Sequence, residues 1–396
     1  MSTHGYFDYN ATTPMYKEAS HALSEALNHF GNPSSVYTLA KQNRNALAIA
    51  RQQVAGLMNC APAELTFTSG GTEANNWAIK GSLLACGAIG RVAQPTHIII
   101  SAIEHSSILE IAAHLERVFG FEITRLAPDR EGLVSAERVR QALRENTRLV
   151  SIMLMNNEVG TLQPVGEIAR VLQGRGIHFH VDGVQAVGKI PVDVQALGID
   201  TLSFAGHKFC GPKGVGGLYM RSGVVLEPLL HGGGQEGGLR GGTEASALVT
   251  AMGVAAEVAA AAMPDTIARM GIYREHLIEQ LQLRIPGVTI HGSADPAKQA
   301  PNTLSVCIAG IRAESLAALL DQMHGIQVSL GSACSSNNAK SLSHVLVAMG
   351  LGEAAIQSTM RVSLGPLTTE DSLERFVGAV EAGIRMLRRI SGEVPA

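Results

Sequence analysis

An α/β protein whose mostly parallel sheet lies between helices is the fold class this 396-residue sequence predicts, and three observations predict it. Short apolar runs recur along the chain, at His97–Ser101, Leu149–Met155, Ile177–Asp182, Thr201–Phe204 and Gly216–Met220; they are continuously apolar, as strands buried on both faces are. Helical stretches such as Ile108–Phe119 and Val165–Leu172 separate them, and parallel strands need such crossovers. The composition, 46% hydrophobic and 16% charged, can bury a large core, and the length suggests two domains.

In order, Tyr6–Pro14 is polar and ends in a proline, so it reads as an arm or loop. A helix over Tyr16–Asn28 is followed by the turn-forming Gly31–Ser35. The next helix, Leu39–Met58, has Leu47, Ala50, Val54 and Leu57 on one face. A short strand, Leu65–Thr68, runs through Ser69-Gly70-Gly71-Thr72-Glu73 into a helix ending at Ala85. Beyond the sheet segments, the glycine-rich Gly232–Gly242 gives way to an alanine-rich helix, and Pro264 is the expected hinge into a second domain. That domain has strand-like segments at Val288–His291 and Thr303–Ile308. Its closing helix has Thr368 and Asp371 at the start and an inner stripe of Leu373, Phe376, Val377, Val380, Ile384 and Leu387. The expected division is a large domain over 15–263 and a smaller α+β domain formed by 1–14 and 264–396.

Several function classes are disfavoured. The formal charge is −3 and the basic residues form no run beyond Arg388-Arg389, so neither a nucleic-acid face nor a membrane-surface helix is expected. No stretch reads as long and apolar enough to span a bilayer, the alanine-rich Val254–Met263 being short. The first residues show no basic region followed by an apolar one, so no export signal is expected. Five cysteines with no Cys-x-x-Cys pair favour a reducing cytoplasm over a disulfide or zinc framework.

The chemistry gathers just past the apolar runs. Lys208 follows Thr201–Phe204 beside His207 and before a Gly-Pro turn; it is either a surface lysine in a loop or a half-desolvated amine suited to a Schiff base. Strand, glycine turn and helix start at Gly70-Gly71-Thr72 make either a phosphate cradle or a plain turn capped by Thr72. Asp182 reads as a cap or a catalytic carboxylate, and His105 as a core or capping histidine or a ring that covers a cofactor. His178 and His180 share a strand face with Asp182 and read as packing or supporting residues. In a parallel sheet, groups beyond the strands' carboxyl ends converge on one cleft. A lysine amine, a carboxylate, an imidazole and a glycine-threonine cradle are together what pyridoxal phosphate needs as an electron sink. In the second domain Ser329–His344 is a loop of small polar residues carrying Cys334, a candidate thiolate. Cys60, Cys86 and Cys307 read as small hydrophobes, and Cys210 as packing.

These residues sit in motifs that resemble, in order, those of the cysteine desulfurases: DYNATTP, GNPSS, TSGGTEANN, EHSS, NNEVGTLQPV, HVDGVQAVGKIPVDV, SFAGHKFCGPKGVGGLY, HGGGQEGGLRGGTEA, GSACSS and RVSLGPLTTED. The resemblance runs from about Tyr6 to Met386, to the NifS/IscS-like branch of the class V aminotransferase group. It implies a fold-type I pyridoxal 5'-phosphate enzyme with a seven-stranded sheet. Carried over residue by residue, it puts Gly71 and Thr72 at the phosphate, His105 against the ring, Asn157 and Gln185 near the phenolic oxygen, and Asp182 at the pyridine nitrogen. It also implies that His207 and Thr243 reach the phosphate, Thr243 from the second subunit of a homodimer. Arg361, with Asn32 beside it, would grip the carboxylate of L-cysteine. Lys208 and Cys334 would carry the chemistry with His105, leaving alanine and a persulfide whose sulfur passes to an acceptor protein. Iron–sulfur clusters, tRNA thiolation and other destinations stay open. The alternatives are a selenocysteine or C–S lyase of the same fold, or a non-catalytic binding homologue.

The chain departs from the family pattern at four places. Ala205 stands where many relatives have a serine; Glu236-Gly237-Gly238 and Gly365-Pro366 each lack an arginine; and the stretch between Cys334 and Ser343-His344 is one residue longer. At Cys210 the family usually has an aromatic residue.

Overall fold

The computed structural model describes residues 5–89, 95–330 and 342–390. The first part contains α1 (Lys17–Ala26), α2 (Thr38–Met58), β1 (Leu65–Thr68), α3 (Gly71–Ala85), β2 (His97–Ser101), α4 (Ser106–Phe119), β3 (Glu122–Leu126), α5 (Ala136–Ala142), β4 (Thr147–Ser151) and α6 (Val165–Leu172). There follow β5 (His178–Asp182), α7 (Val194–Leu197), β6 (Thr201–Ala205), β7 (Gly216–Met220) and the long α8 (Ser246–Arg284). The last part adds β8 (Val288–His291), β9 (Thr303–Ile308), α9 (Ala313–His324), α10 (His344–Ala348), α11 (Glu353–Gln357), β10 (Thr359–Ser363) and α12 (Glu370–Ile390).

Seven strands form one sheet in the order β1-β7-β6-β5-β4-β2-β3. β3, β2, β4, β5 and β6 are mutually parallel, and β7 runs against both its neighbours, β6 and β1. The mostly parallel sheet expected from the alternating pattern is therefore present. Buried apolar side chains such as Ile99, Val150, Val181, Leu202 and Phe204 fill one core with those of α2, α6 and the first half of α8. A second core joins Phe7 to residues between Met270 and Ile384. Three antiparallel strands, β10-β9-β8, belong to it, and the N-terminal arm bridges its edge at Tyr6–Gln327 and Asp8–Ser363.

Local chemistry sets the element ends. His105, Ser135 and Asp193 accept hydrogen bonds from backbone N–H groups of the helices that follow them. Gly120, at φ 69°, closes α4. At α12 the reciprocal cap is made by Thr369 and Ser372, whose hydroxyls accept from each other's backbone N–H at 3.3 and 3.1 Å. The expected starters, Thr368 and Asp371, do not form it; the Thr368 hydroxyl accepts from Gly365 instead.

Other expectations are corrected. Pro264 lies inside α8 and does not end it. A proline removes one N–H from a helix, but this helix is held at both ends, by Met252, Ala255 and Ala256 in the first core and Met270, Leu277 and Leu281 in the second. Gly253 permits the contact with α2: a Cβ there would lie 2.6 Å from the Ala50 Cα. The apolar run Leu149–Met155 is a strand only to Ser151; beyond it Ile152 and Leu154 still donate to the His180 and Asp182 carbonyls of β5, and Met155 bridges Leu162. β3 and β10 escaped the pattern because β3 is an edge strand carrying Glu122 and Arg125, and β10 interrupts its apolar residues with Arg361. By length and composition α8 is apolar enough to cross a membrane, contrary to the sequence reading. Its apolar face is occupied by the two cores and the helices α1 and α2.

Candidate active site

Three carboxyl ends of strands meet here. β6 delivers Lys208 through the turn Gly206–Lys208, β5 ends at Asp182, and β2 leads through Glu104 to His105 at the start of α4. The Lys208 amine donates to the backbone carbonyls of Asn10 and Ala11 at 2.6 and 2.9 Å. It is partly buried, not a surface loop lysine.

Asp182 is held by two bonds. Its Oδ1 accepts from Val184 N at 2.9 Å, the capping role, while Oδ2 accepts from Asn75 Nδ2 at 2.8 Å. Asn75 is the centre of a buried chain. Its amide nitrogen also donates to Ser107 Oγ at 2.9 Å, and its Oδ1 faces His180 Nε2 at 3.0 Å. An amide oxygen only accepts, so His180 carries its proton on Nε2 and Nδ1 takes the Thr201 hydroxyl proton. Thr201 has one hydrogen, so His178 Nε2 donates to it in turn. Burial pushes His178 down to about 4 and His180 to about 3, so both rings are neutral and act as supports. At the other end, Ser107 N donates to His105 Nδ1 at 3.1 Å, which places the proton of a neutral His105 on Nε2. His105 is a helix cap whose ring is fixed.

A second chain runs through Asn10, 1% exposed. Its carbonyl, besides holding Lys208, accepts from Gln185 Nε2 at 2.8 Å. Its Nδ2 donates to the Asn157 carbonyl and to Thr303 Oγ1. The Asn157 carbonyl also accepts from Arg361 Nη1 at 3.0 Å, and Arg361 Nη2 pairs with Asp8 at 2.7 Å. Arg361 is 4% exposed and its Nε has no hydrogen-bond partner among the described residues. A buried guanidinium with an unmet N–H fits a carboxylate ligand. His207 Nδ1 lies 3.1 Å from Thr12 Oγ1, and burial, then Lys208, Lys213 and Lys189, push it down to about 4.

The glycine turn before α3 has the form a phosphate would need. Gly70 adopts φ 153° and ψ −177°, a conformation open essentially to glycine. No side chain caps α3, so its first N–H groups, at Gly71 and Thr72, are not occupied by a cap. A Cβ on Gly71 would meet Val184 at 2.6 Å, two residues from Asp182. Arg240 pairs with Glu73 next to Thr72. Ala205 is buried and supplies no hydroxyl here.

Asn32 and Thr243 are not drawn in. Asn32 is exposed and accepts locally from Ser34 N, and Thr243 is exposed; no hydrogen bond joins either to the site among the described residues. Cys334 lies outside the described residues. The chain on either side is tied to the site: Ser329 pairs with the backbone of Arg361, Ser343 donates to buried Glu158 at 2.5 Å, and His344 meets the Glu104 carbonyl. Cys86 is exposed, so it does not pack as the small hydrophobe the sequence suggested. Cys210 is 1% exposed, at φ 62°, and burial pushes its thiol up. The sequence reading missed Asn10, Asn75, Asp8 and Lys189 as participants, although Gln185 and Lys189 stand four residues apart, a spacing that brings side chains together in a helical turn.

Comparison with known proteins gives the same setting. The sequence matches the aminotransferase class-V family over residues 5–376. It is 42% identical over 387 residues to a protein of Dictyoglomus turgidum named cysteine desulfurase IscS, covering 98% of this chain and 96% of the relative. A protein of the same name from Methanosarcina thermophila is 42% identical over 391 residues, covering 98% and 94%. A solved NifS-like protein superposes with a TM-score of 0.88 at 35% identity, over 96% of this chain and 99% of the other. A structure described as SspA in complex with cysteine gives 0.79 at 36% identity, over 92% and 100%.

Proposed function

We propose, from the premise that this chain belongs to the aminotransferase class-V family, that it is a cysteine desulfurase, converting L-cysteine to L-alanine and handing on the sulfur. The observation that carries this beyond the family is Arg361: a buried guanidinium with an unmet Nε–H, joined through Asn157 and Asn10 to the amine of Lys208. The arginine that would grip the substrate carboxylate and the lysine amine thereby share one hydrogen-bonded frame.

The donor set fits pyridoxal phosphate. Asp182 would hold its ring nitrogen, the Gly70–Thr72 turn and His207 its phosphate, His105 its face, and Lys208 its carbonyl carbon. When bound, the cofactor supplies the electron sink for a carbanion at the substrate α-carbon. Arg361 orients the substrate carboxylate. The Lys208 amine would move the α-proton, with the Asn10 and Ala11 carbonyls aligning its N–H bonds. His105, its Nδ1 taken by Ser107, offers only Nε2 for proton transfer. Cys334 takes the substrate sulfur: its thiolate forms the S–S bond while the Cβ–S bond breaks toward carbon, which is protonated and leaves as alanine.

The rest of the reading is a homodimer in the cytoplasm that passes sulfur to an acceptor protein. Exposed Phe30, Val36 and Tyr37 support a subunit contact, and the family resemblance would have Thr243 reach the phosphate from the second subunit. The test is direct. The purified protein should be yellow with pyridoxal phosphate, and Lys208→Ala should lose the visible band and turnover. After a brief cysteine pulse, mass spectrometry should find one extra sulfur on Cys334. Cys334→Ser should carry none and release almost no sulfide. Sulfur on Cys210, or unimpaired Cys334→Ser, would overturn the relay in favour of a lyase.

A further inference from the structure

A second lysine lies against the site, and neither the motif reading nor the mechanism uses it. The Lys189 amine donates to Oδ1 of Asn10 at 2.9 Å and to Oε1 of Gln185 at 2.8 Å. We propose that Lys189 is a positioning residue for the desulfurase reaction, orienting the side-chain amides of Gln185 and Asn10 around the Asn10 carbonyl that holds Lys208.

The donor and acceptor inventory argues for it. A lysine amine pointed at two oxygens can only donate to them, so both amides must turn their oxygens toward it. For Gln185 this leaves the nitrogen on the other side. One N–H goes to the Asn10 carbonyl, and the second remains as the donor it can offer to a phenolate oxygen. For Asn10 it leaves Nδ2 for Asn157 and Thr303, across the two cores, while Asn302 adds a second donor to Oδ1. The carbonyl of the same Asn10 accepts from Lys208. Lys189 thus reaches the reacting amine in two hydrogen bonds through Asn10, and in three through Gln185, whose route ends on the same Asn10 carbonyl.

Charge points the same way. Burial, followed by the positive neighbours Lys208 and Arg361, holds Lys189 well below the ordinary lysine range, while Cys210 and Asp8 act in the opposite sense. Tyr9, Tyr16 and Cys210 line the small cavity of about 30 Å³ that it shares with Lys208.

This inference rests on the function proposed above, and its test separates the two. The holoenzyme's visible band is titrated with pH in wild type, Lys189→Met and Lys189→Arg. Lys189→Met should move the band's midpoint by about one pH unit and weaken cofactor retention about tenfold, the loss of roughly one hydrogen bond to a key group. Lys189→Arg, also a pure donor, should restore the midpoint. In a Gln185→Leu background, Lys189→Met should add less than it does alone, because both changes converge on Asn10 and its carbonyl. A wild-type midpoint in Lys189→Met overturns the proposal however much stability is lost, and so does full additivity with Gln185→Leu. If Lys189→Met does not fold, Gln185→Leu alone must shift the midpoint; an unmoved one overturns the proposal. No visible band in the wild type would refute the functional reading itself, and this inference with it.

Discussion

Replacing Asn75 by alanine examines the buried chain that fixes Asp182 and His105 together. Asn75 is 1% exposed and uses every polar atom: its two N–H groups go to Asp182 and Ser107, and its oxygen receives His180. Alanine removes all three bonds. It leaves the His180 Nε2–H buried without an acceptor, which costs about 1–3 kcal/mol, and takes from Asp182 a charge-assisted bond of about 1.5–3 kcal/mol. The better helix propensity of alanine inside α3 returns only about 0.5 kcal/mol. We expect Asn75→Ala to lose about 3 kcal/mol of stability, read from urea unfolding of the cofactor-free protein. The neighbouring Asn76 is the control. It is half-buried and makes one bond back to the Thr72 carbonyl within its own helix, so Asn76→Ala should change stability by less than about 0.5 kcal/mol. Equal unfolding midpoints for the two variants would refute the argument that the chain carries load. Because the same amide orders the proton positions through Ser107, the holoenzyme of Asn75→Ala should also show a broader pH dependence of turnover.

Glu104 is fully buried, and burial first of all raises its carboxyl to about 8 from 4.5. The folded state then holds a proton that the unfolded chain releases, so stability falls as pH rises from about 4.5 to about 8. Glu104→Gln should flatten that decline and be the more stable protein above about pH 8; parallel profiles for the two proteins in denaturant titrations would refute it. Arg361→Lys keeps a charge but loses the fork that binds Asp8 and the Asn157 carbonyl. Its KM for cysteine should rise at least about tenfold, with a smaller change in kcat, in assays of alanine formation. Ala205→Ser should tighten cofactor binding by about 1.5–3 kcal/mol if its hydroxyl meets the phosphate. Calorimetric titration that shows no gain would mean another group already serves that place.

Much of the fold and site was legible in the chain because the signals are local. Buried parallel strands are continuous apolar runs, so β2, β5, β6 and β7 appear in the sequence within a residue of their observed ends. The glycine turn, the lysine after β6 and the carboxylate at the end of β5 are each announced by residues adjacent to a strand end. The family resemblance then supplied roles for His105, Asp182, Lys208 and Arg361.

What the sequence did not contain is contact between distant residues. Pro264 is a break in any local reading, yet α8 runs through it because two cores formed by remote segments hold both halves. β10 carries Arg361 in a segment too polar to be read as a strand, and its pairing with β9 makes it one. Asn75 is an ordinary helical asparagine until α3, α4 and β5 bring Ser107, Asp182 and His180 around it. Lys189 is an ordinary lysine until the N-terminal arm lays Asn10 across it, some 179 residues away in sequence. Residue type and local order fix which chemistry is available, because they set propensity and donor inventory. Only the packing of distant segments fixes which donors meet which acceptors, because a hydrogen bond depends on positions in space that no local pattern encodes.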